Sequence, residues 1–451
     1  MQSVGLRERV SYGFGDLASN LSNATISTFL VYYYTNFTAI PAAAAGSILL
    51  AVLLIVSFWD VATGILVDRT HTRFGRARPW LLCLCLPFAV TFTAVFSVPA
   101  LPVTGRLIYA FFSLLLYNFA YSSINVPYGI LNTLITRDQY ERSLLNLVRM
   151  FMAYGTTIVI NLITMRLVGF FGVTAAAWQK TALLYACLAV FFFLATFFFT
   201  KERVVSVSRP NVPIPSGIRG LFRNRYWKLL MLFAVVQYVY VSVNSGVTVY
   251  YAQHILGHSE YVGVINLAFY IPIAAGMFLL APMIRRFGKR NLSVAGILIA
   301  CAGTLLMSAL PATLPNVLLC SVIKGIGIMP AFGTFYSMVA DTIEYGEWAT
   351  GIRSEGLIYS ASSFGVKMGM GLGSGLIGWI LAAGRYANGA AAQPASAVSA
   401  IRFLYLLLPV LLFALMLVIL ALYRLDREYP DIIVKLDARR AAAARDPQSN
   451  L

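Results

Sequence analysis

Three ionisable residues lie inside long apolar stretches of the sequence: Asp60, Arg149 and Lys367. A charge in a lipid-embedded segment is costly unless it is paired or faces a wet cavity, so each marks a place where function is expected. An aspartate in such a setting can hold a proton or another monovalent cation, and its occupancy can bias the protein between two conformations. It can equally serve as counter-ion to Arg149 or Lys367. Lys324 and Arg166 also lie near or within apolar stretches and read as side chains that snorkel to an interface.

Stripes of uncharged polar residues run past these charges. Asp16, Asn20, Asn23 and Ser27 recur at offsets of four, three and four, which places them on one helical face. Asn118, Ser122, Asn125, Gly129 and Asn132 repeat the spacing, flanked by Tyr117, Tyr121 and Tyr128. Gln237, Tyr240, Asn244, Thr248 and Tyr251 form a third stripe, and Ser360, Ser363, Lys367, Gly371 and Ser374 a fourth. Any one of these residues can be interhelical glue worth on the order of 1 kcal/mol. Together, amides, hydroxyls and phenols in a greasy sequence describe a wet cavity for a polyhydroxylated ligand, whose apolar faces can stack on aromatic rings. A further cluster, Asp341, Glu344 and Glu347 followed by Arg353 and Glu355, is either a solvated loop or a set of salt bridges that closes a cytoplasmic gate. His254 and His258 have the spacing of a helical metal pair, but Gly257 interrupts them and the remaining histidine, His71, falls on the opposite side, so no metal site is expected.

Long apolar elements must carry these residues. Hydrophobic types fill 59% of the 451 positions and charged types only 11%, a balance that a bilayer can solvate and a water-soluble globule cannot. Twelve helices are expected near 10–36, 41–67, 79–98, 103–133, 146–171, 179–199, 226–255, 260–284, 291–310, 314–341, 354–384 and 398–424. They form an N-terminal six-helix half (1–199), a Pro-rich basic linker (200–225), a C-terminal half (226–424) and a tail (425–451). Arg and Lys concentrate in the loops at 68–78, 134–145, 200–225 and 285–290 and in both termini, which places both ends in the cytoplasm. The net charge of +17 is spread in small groups between apolar segments, which excludes a nucleic-acid groove. All five cysteines lie in apolar segments and read as packing thiols. Arg73-Phe74-Gly75-Arg76 after the second helix echoes Arg286-Phe287-Gly288-Lys289 after the eighth, as a six-plus-six repeat requires.

Several segments resemble the glycoside–pentoside–hexuronide:cation symporters of the major facilitator superfamily, including its glucuronide and melibiose carriers. These are Tyr12-Gly-Phe-Gly-Asp16, Trp59-Asp60, Asp68-Arg-Thr70, Arg73-Phe-Gly-Arg76, Arg78-Pro-Trp80 and Asn125-Val-Pro-Tyr128. The run Asp341-Thr-Ile-Glu-Tyr-Gly-Glu347, with Gly351-Ile-Arg-Ser-Glu-Gly-Leu357 and Lys367, adds to them. The resemblance implies an all-α integral membrane fold of twelve helices, a central sugar site, alternating access and a bacterial inner-membrane location. It also implies that Asp60 is a cation-site acid, that Asn20 and Asn125 stand where melibiose carriers place sugar-binding aspartates, and that Arg149 and Lys367 line the cavity. Tyr121 joins them as a sugar-binding candidate.

Two departures from that pattern matter. The second helix-2 acid of the melibiose carriers falls on Val56 and a nearby basic residue on Leu53, which argues against a sodium site of paired carboxylates. The remaining aspartate can carry a proton or another monovalent cation (H+ or Na+), and uncoupled facilitated diffusion stays open. With Asn at both sugar positions and two cations nearby, the cavity should tolerate a uronic-acid carboxylate, with Arg149 or Lys367 as its partner. The expected function is therefore import of a glycoside or glucuronide, without an enzymatic step or a cofactor beyond the coupling cation. A neutral pentoside, or an amphiphile such as a lysolipid or drug, is the alternative cargo.

Overall fold

The structure is a computed structural model that describes residues 4–70, 72–136, 138–204, 221–350, 355–390 and 392–445. Six long helices precede the linker: α1 (Leu6–Phe37), α2 (Ala42–Arg69), α3 (Arg78–Val95), α4 (Val103–Ile135), α5 (Gln139–Phe170) and α6 (Ala175–Phe199). Six more follow: α7 (Arg225–His254), α8 (Tyr261–Phe287), α9 (Lys289–Ala309), α10 (Leu314–Thr350), α11 (Glu355–Ala383) and α12. The last is composite, Ala395–Arg402 and Leu408–Leu422 joined through a π-helical turn at Phe403–Leu407. Among the described residues, ten candidate spans are by length and composition apolar enough to cross a membrane; α8 offers a shorter stretch, Tyr261–Met277, and α1 carries Arg7, Glu8, Arg9 and Asp16.

Helix ends differ from expectation where charges are neutralised. Helix α1 starts at Leu6 because Arg9 pairs with Glu141 (2.9 Å) and Glu8 with Arg203 (2.8 Å). Helix α10 runs on to Thr350, so Asp341, Glu344 and Glu347 are helical and not part of a solvated loop. The tail past α12 is also helical: α13 (Leu425–Arg445) is anchored to α10 by a Tyr429–Glu344 hydrogen bond and to α7 by an Arg225–Glu428 ion pair (2.9 Å).

The echoed sequence motif has an echoed architecture. The Glu202 carboxylate, just past α6, accepts from the backbone N–H groups of Arg76, Ala77 and Arg78 at 2.8–3.0 Å, satisfying donors that a helix start leaves open. Gly75, at φ 108°, makes room, since a Cβ there would collide with that carboxylate. Arg78 then donates to the Phe197 carbonyl at the end of α6 (2.7 Å). In the second half the Asp426 carboxylate, just past α12, accepts from Arg290 N (2.8 Å), and Arg290 donates to the Leu420 and Ala421 carbonyls (2.6 and 3.1 Å). Gly288, at φ 77°, turns the chain between α8 and α9 in a left-handed conformation that favours glycine.

The halves meet at the end opposite the chain termini. There Thr35 Oγ1 hydrogen-bonds Tyr250 Oη (2.8 Å), Tyr386 Oη donates to Asn36 Oδ1 (3.0 Å) and Asn388 Nδ2 to the Ile40 carbonyl (3.1 Å). His254 Nε2 shares Tyr386 Oη at 2.9 Å, so this histidine belongs to the closure. Trp379 Nε1 donates to Ser47 Oγ (3.0 Å), and the glycines of α2 and α11 interlock: Gly46 faces the Ser374 carbonyl and Gly378 the Ala42 carbonyl. At the terminus-bearing end the pairs Arg9–Glu141, Arg203–Glu8, Arg225–Glu428 and Lys289–Asp341 each lie within one half.

Candidate functional site

Asp16 stands on the inner face of α1 and forms an ion pair with Arg149 of α5, supported by a second contact from Nη2 to Oδ1 at 3.4 Å. The guanidinium lies over the ring of Tyr128, 4.8 Å from its centroid. Tyr128 stacks on Tyr12 (4.9 Å, 27°) and donates its hydroxyl to the Tyr12 carbonyl (2.7 Å). Gly15 makes this stack possible, because a Cβ at that position would overlap the Tyr128 ring. Arg149 is therefore held by a carboxylate on one side and an aromatic face on the other, a geometry suited to a planar guanidinium.

A second pair crosses between the halves. Asp60, on α2, receives Lys367 Nζ from α11 and the Ser122 hydroxyl from α4. Next to it, Trp59 Nε1 donates to Ser123 Oγ (3.0 Å) and its ring lies 4.8 Å from that of Phe119. The side chains of Asp60 and Lys367 keep 24% and 20% exposure, and Arg149 31%, so none of the three charges is sealed in the protein interior. Helix α4 joins the two pairs: its Ser122 donates to Asp60 and its Tyr128, six residues on, lies under Arg149, with Tyr121 next to Ser122 in the chain.

The amides have the form of ligand contacts. Asn20 Nδ2 donates to the Asp16 carbonyl (2.8 Å) and Asn125 Nδ2 to the Tyr121 carbonyl (3.0 Å), each one turn back along its own helix. Both side chains are partly exposed, and neither amide oxygen has a protein hydrogen-bond partner among the described residues. An oxygen held in place and left open can accept from a sugar hydroxyl.

The sequence candidates thus fall into two places. Asn20, Asp60, Tyr121, Asn125, Arg149 and Lys367 belong to α1, α2, α4, α5 and α11, around the paired charges. The acidic cluster lies elsewhere: Lys289 Nζ pairs with Asp341 (2.6 Å), Glu344 accepts from Tyr429, and Glu347 follows on α10. Arg353 lies outside the described residues, as does the side chain of Glu355. The placed members thus link elements of the C-terminal half to one another.

Three features escape a reading of the sequence. Asp16 counted only as part of a polar stripe, yet it is the partner of Arg149, 133 positions away. Ser122 is a donor to Asp60, a role that its place in the α4 stripe leaves open. Lys324 does not snorkel: it is 1% exposed and donates to Asn244 Oδ1 at 2.9 Å, and the expected α7 stripe of Gln237, Tyr240, Asn244, Thr248 and Tyr251 is buried within the C-terminal half instead of lining the sugar site.

Comparison with known proteins follows the same lines. Residues 11–427 match the model of a family described as MFS/sugar transport protein. An isoprimeverose transporter of Lactiplantibacillus pentosus is 32% identical over 441 residues, covering 96% of this chain and 92% of the relative. A glucuronide carrier protein homolog of Escherichia coli is 29% identical over 449 residues, covering 97% of both chains. Among solved structures, a bacterial homolog of the human lysosomal transporter Spinster, in an inward-facing and unoccupied conformation, superposes with a TM-score of 0.68 at 14% identity. It covers 95% of this chain and 97% of its own, and it establishes the shared fold.

Proposed function

Since the chain belongs to the MFS/sugar transport protein family, we propose that it imports a glycoside, with a glucuronide-type hexuronide as the preferred class, in symport with a proton or another monovalent cation. The observation that carries this reading is the Asp60–Lys367 ion pair between the two halves. Both cations are neutralised, Arg149 by Asp16 and Lys367 by Asp60. A cation that binds the Asp60 carboxylate competes with Lys367 for it and leaves an ammonium free in the cavity. A uronate carboxylate then finds a partner, worth about 4 kcal/mol at 4 Å and an effective dielectric of 20. Cation and sugar acid enter together because each balances the charge that the other exposes. Tyr121 and the open amide oxygens of Asn20 and Asn125 hold the hydroxyl groups, and Arg149 orients its surroundings from the Tyr128 stack.

The clustering of interhalf hydrogen bonds at the end opposite the termini supports alternating access. With the basic loops in the cytoplasm, that end is the periplasmic one, the cavity opens inward, and the protein resides in a bacterial inner membrane. The test is uptake into proteoliposomes of a labelled aryl glucuronide beside its matched glucoside, under an imposed inward proton gradient. Faster glucuronide uptake that falls at least tenfold in Lys367→Met is the expected result. Glucuronide uptake unchanged in variants neutral at both Arg149 and Lys367 would overturn the uronate assignment. Faster glucoside uptake would favour the second reading, a neutral glycoside held by Asn20 and Asn125, which the name of the isoprimeverose relative supports.

A further inference from the structure

Lys324 lies in the middle of α10, ten residues from its start, and is among the most enclosed charged residues of the molecule at 1% exposure. Its amine donates to Asn244 Oδ1 of α7 (2.9 Å) and lies over the ring of Tyr405 of α12, 4.7 Å from the centroid. No carboxylate pairs with it among the described residues. This differs from Lys367 and Arg149, each of which has an aspartate. Tyr405 belongs to the π-helical turn Phe403–Leu407 and stacks on Tyr251 (4.3 Å, 28°). Single π turns inside α-helices occur frequently at functional sites. Gln237 and Tyr240, two turns and one turn before Asn244 on α7, are buried, and their polar side-chain atoms have no partner among the described residues.

We infer that Lys324 is a proton-binding site inside the C-terminal half, separate from Asp60, and that its proton is exchanged during the transport cycle. The amide oxygen of Asn244 can accept from a neutral amine as well as from an ammonium, and the Tyr405 ring adds attraction only for the charged form. Both protonation states therefore fit one set of partners, which a carboxylate neighbour would prevent by holding the proton in place. The other titratable groups nearby are Cys320, one turn away on α10, Tyr405 on α12, Tyr251 on α7 stacked against it, Arg402 on α12, which acts on Tyr251, and Tyr240 on α7, which adjoins Tyr405 and, on α8, Tyr270. Helices α8 and α9 approach this stretch through the Phe269 carbonyl against Gly325 and through Gly303 against Ile323. Gln237 and Tyr240 supply hydrogen-bonding groups along α7 towards the terminus-bearing end, the chemistry of a proton path.

This inference rests on the transport reading, and the test keeps the two apart. Equilibrium exchange of a labelled aryl glucuronide and of the matched aryl glucoside in proteoliposomes asks only whether the protein carries sugar. Protons moved per sugar, from a pH-sensitive dye and the label in the same vesicles, ask about Lys324. Asn244→Asp places a carboxylate beside the amine, keeps the side-chain shape and pins the proton. Lys324→Arg keeps a charge that is never released. Both variants are expected to retain exchange and to move about one proton fewer per sugar than the wild type. An unchanged proton-to-sugar ratio in Asn244→Asp or Lys324→Arg would overturn the proposal, as would a wild type that carries sugar without protons. Absence of exchange by the wild type for both probes would instead strike the transport reading.

Discussion

The interlocked glycines of α2 and α11 give a test of alternating access with a magnitude attached. A Cβ built on Gly46 lies 2.7 Å from the Ser374 carbonyl oxygen and 3.0 Å from Gly375 Cα, and ordinary contact begins at 3.4 Å. Backbone cannot swing aside as a side chain can, so Gly46→Ala requires the two helices to separate by about 0.7 Å. Overpacking of this kind costs about 1–3 kcal/mol, and the cost falls only on the conformation in which α2 and α11 touch. A bias of that size is a population shift of roughly 5–150-fold away from the conformation closed at the end opposite the termini, the periplasmic end under the proposed orientation. The assay is labelling of Ser27→Cys by a membrane-impermeant maleimide added outside intact cells, in a background without the five native cysteines. Ser27 is exposed on the polar face of α1, so its labelling from outside reports how often the periplasmic end is open. Gly46→Ala is expected to raise the labelling rate at least fivefold and to slow net uptake. An unchanged labelling rate together with normal uptake would refute the idea that this contact closes the outer end.

Two further outcomes follow from the contacts described. Glu202→Gln keeps the shape of the cap on α3 but removes its charge, and Glu202→Ala removes the acceptor for three backbone N–H groups. The alanine variant should lose about 1–2 kcal/mol, read as a lower melting temperature of the detergent-solubilised protein, with the glutamine variant in between. In the site, Asp16→Asn frees Arg149, so the variant should raise affinity for an aryl glucuronide relative to the glucoside, measured by displacement of bound label. Equal changes for both sugars would show that Arg149 serves only to hold the helices together.

The stripes of α1 and α4 were legible in the sequence because helical spacing alone puts Asn20 and Asn125 on the same faces as Asp16 and Ser122. The echoed turns after α2 and α8 were legible too, since Gly75 and Gly288 stand where the backbone needs a positive φ. Partner choice was not. Arg149 could have paired with either aspartate or with neither, and only the packing of α5 on α1 and of α11 on α2 decides between them. Lys324 was misjudged for a related reason: a lysine in a greasy stretch reads as one that reaches for an interface, and nothing local reveals that Asn244 and Tyr405 wait for it. Density of charge left Asp341 and Glu344 open between a loop and a set of salt bridges, and only Lys289 and Tyr429, brought against them by the fold, decide.

Glu202 and Asp426 also set an order of events during synthesis. Each carboxylate lies beyond the sixth helix of its half but caps the third, so the start of α3 waits for a residue made over a hundred positions later. While the ribosome is still producing α4 to α6, the turn at Gly75 has its amide groups open and its basic residues uncompensated. The cap on α3 closes only when Glu202 emerges, and that on α9 only when Asp426 does. A nascent chain halted before Glu202 should therefore be cut by proteases at the turn around Gly75 more readily than one halted just after it.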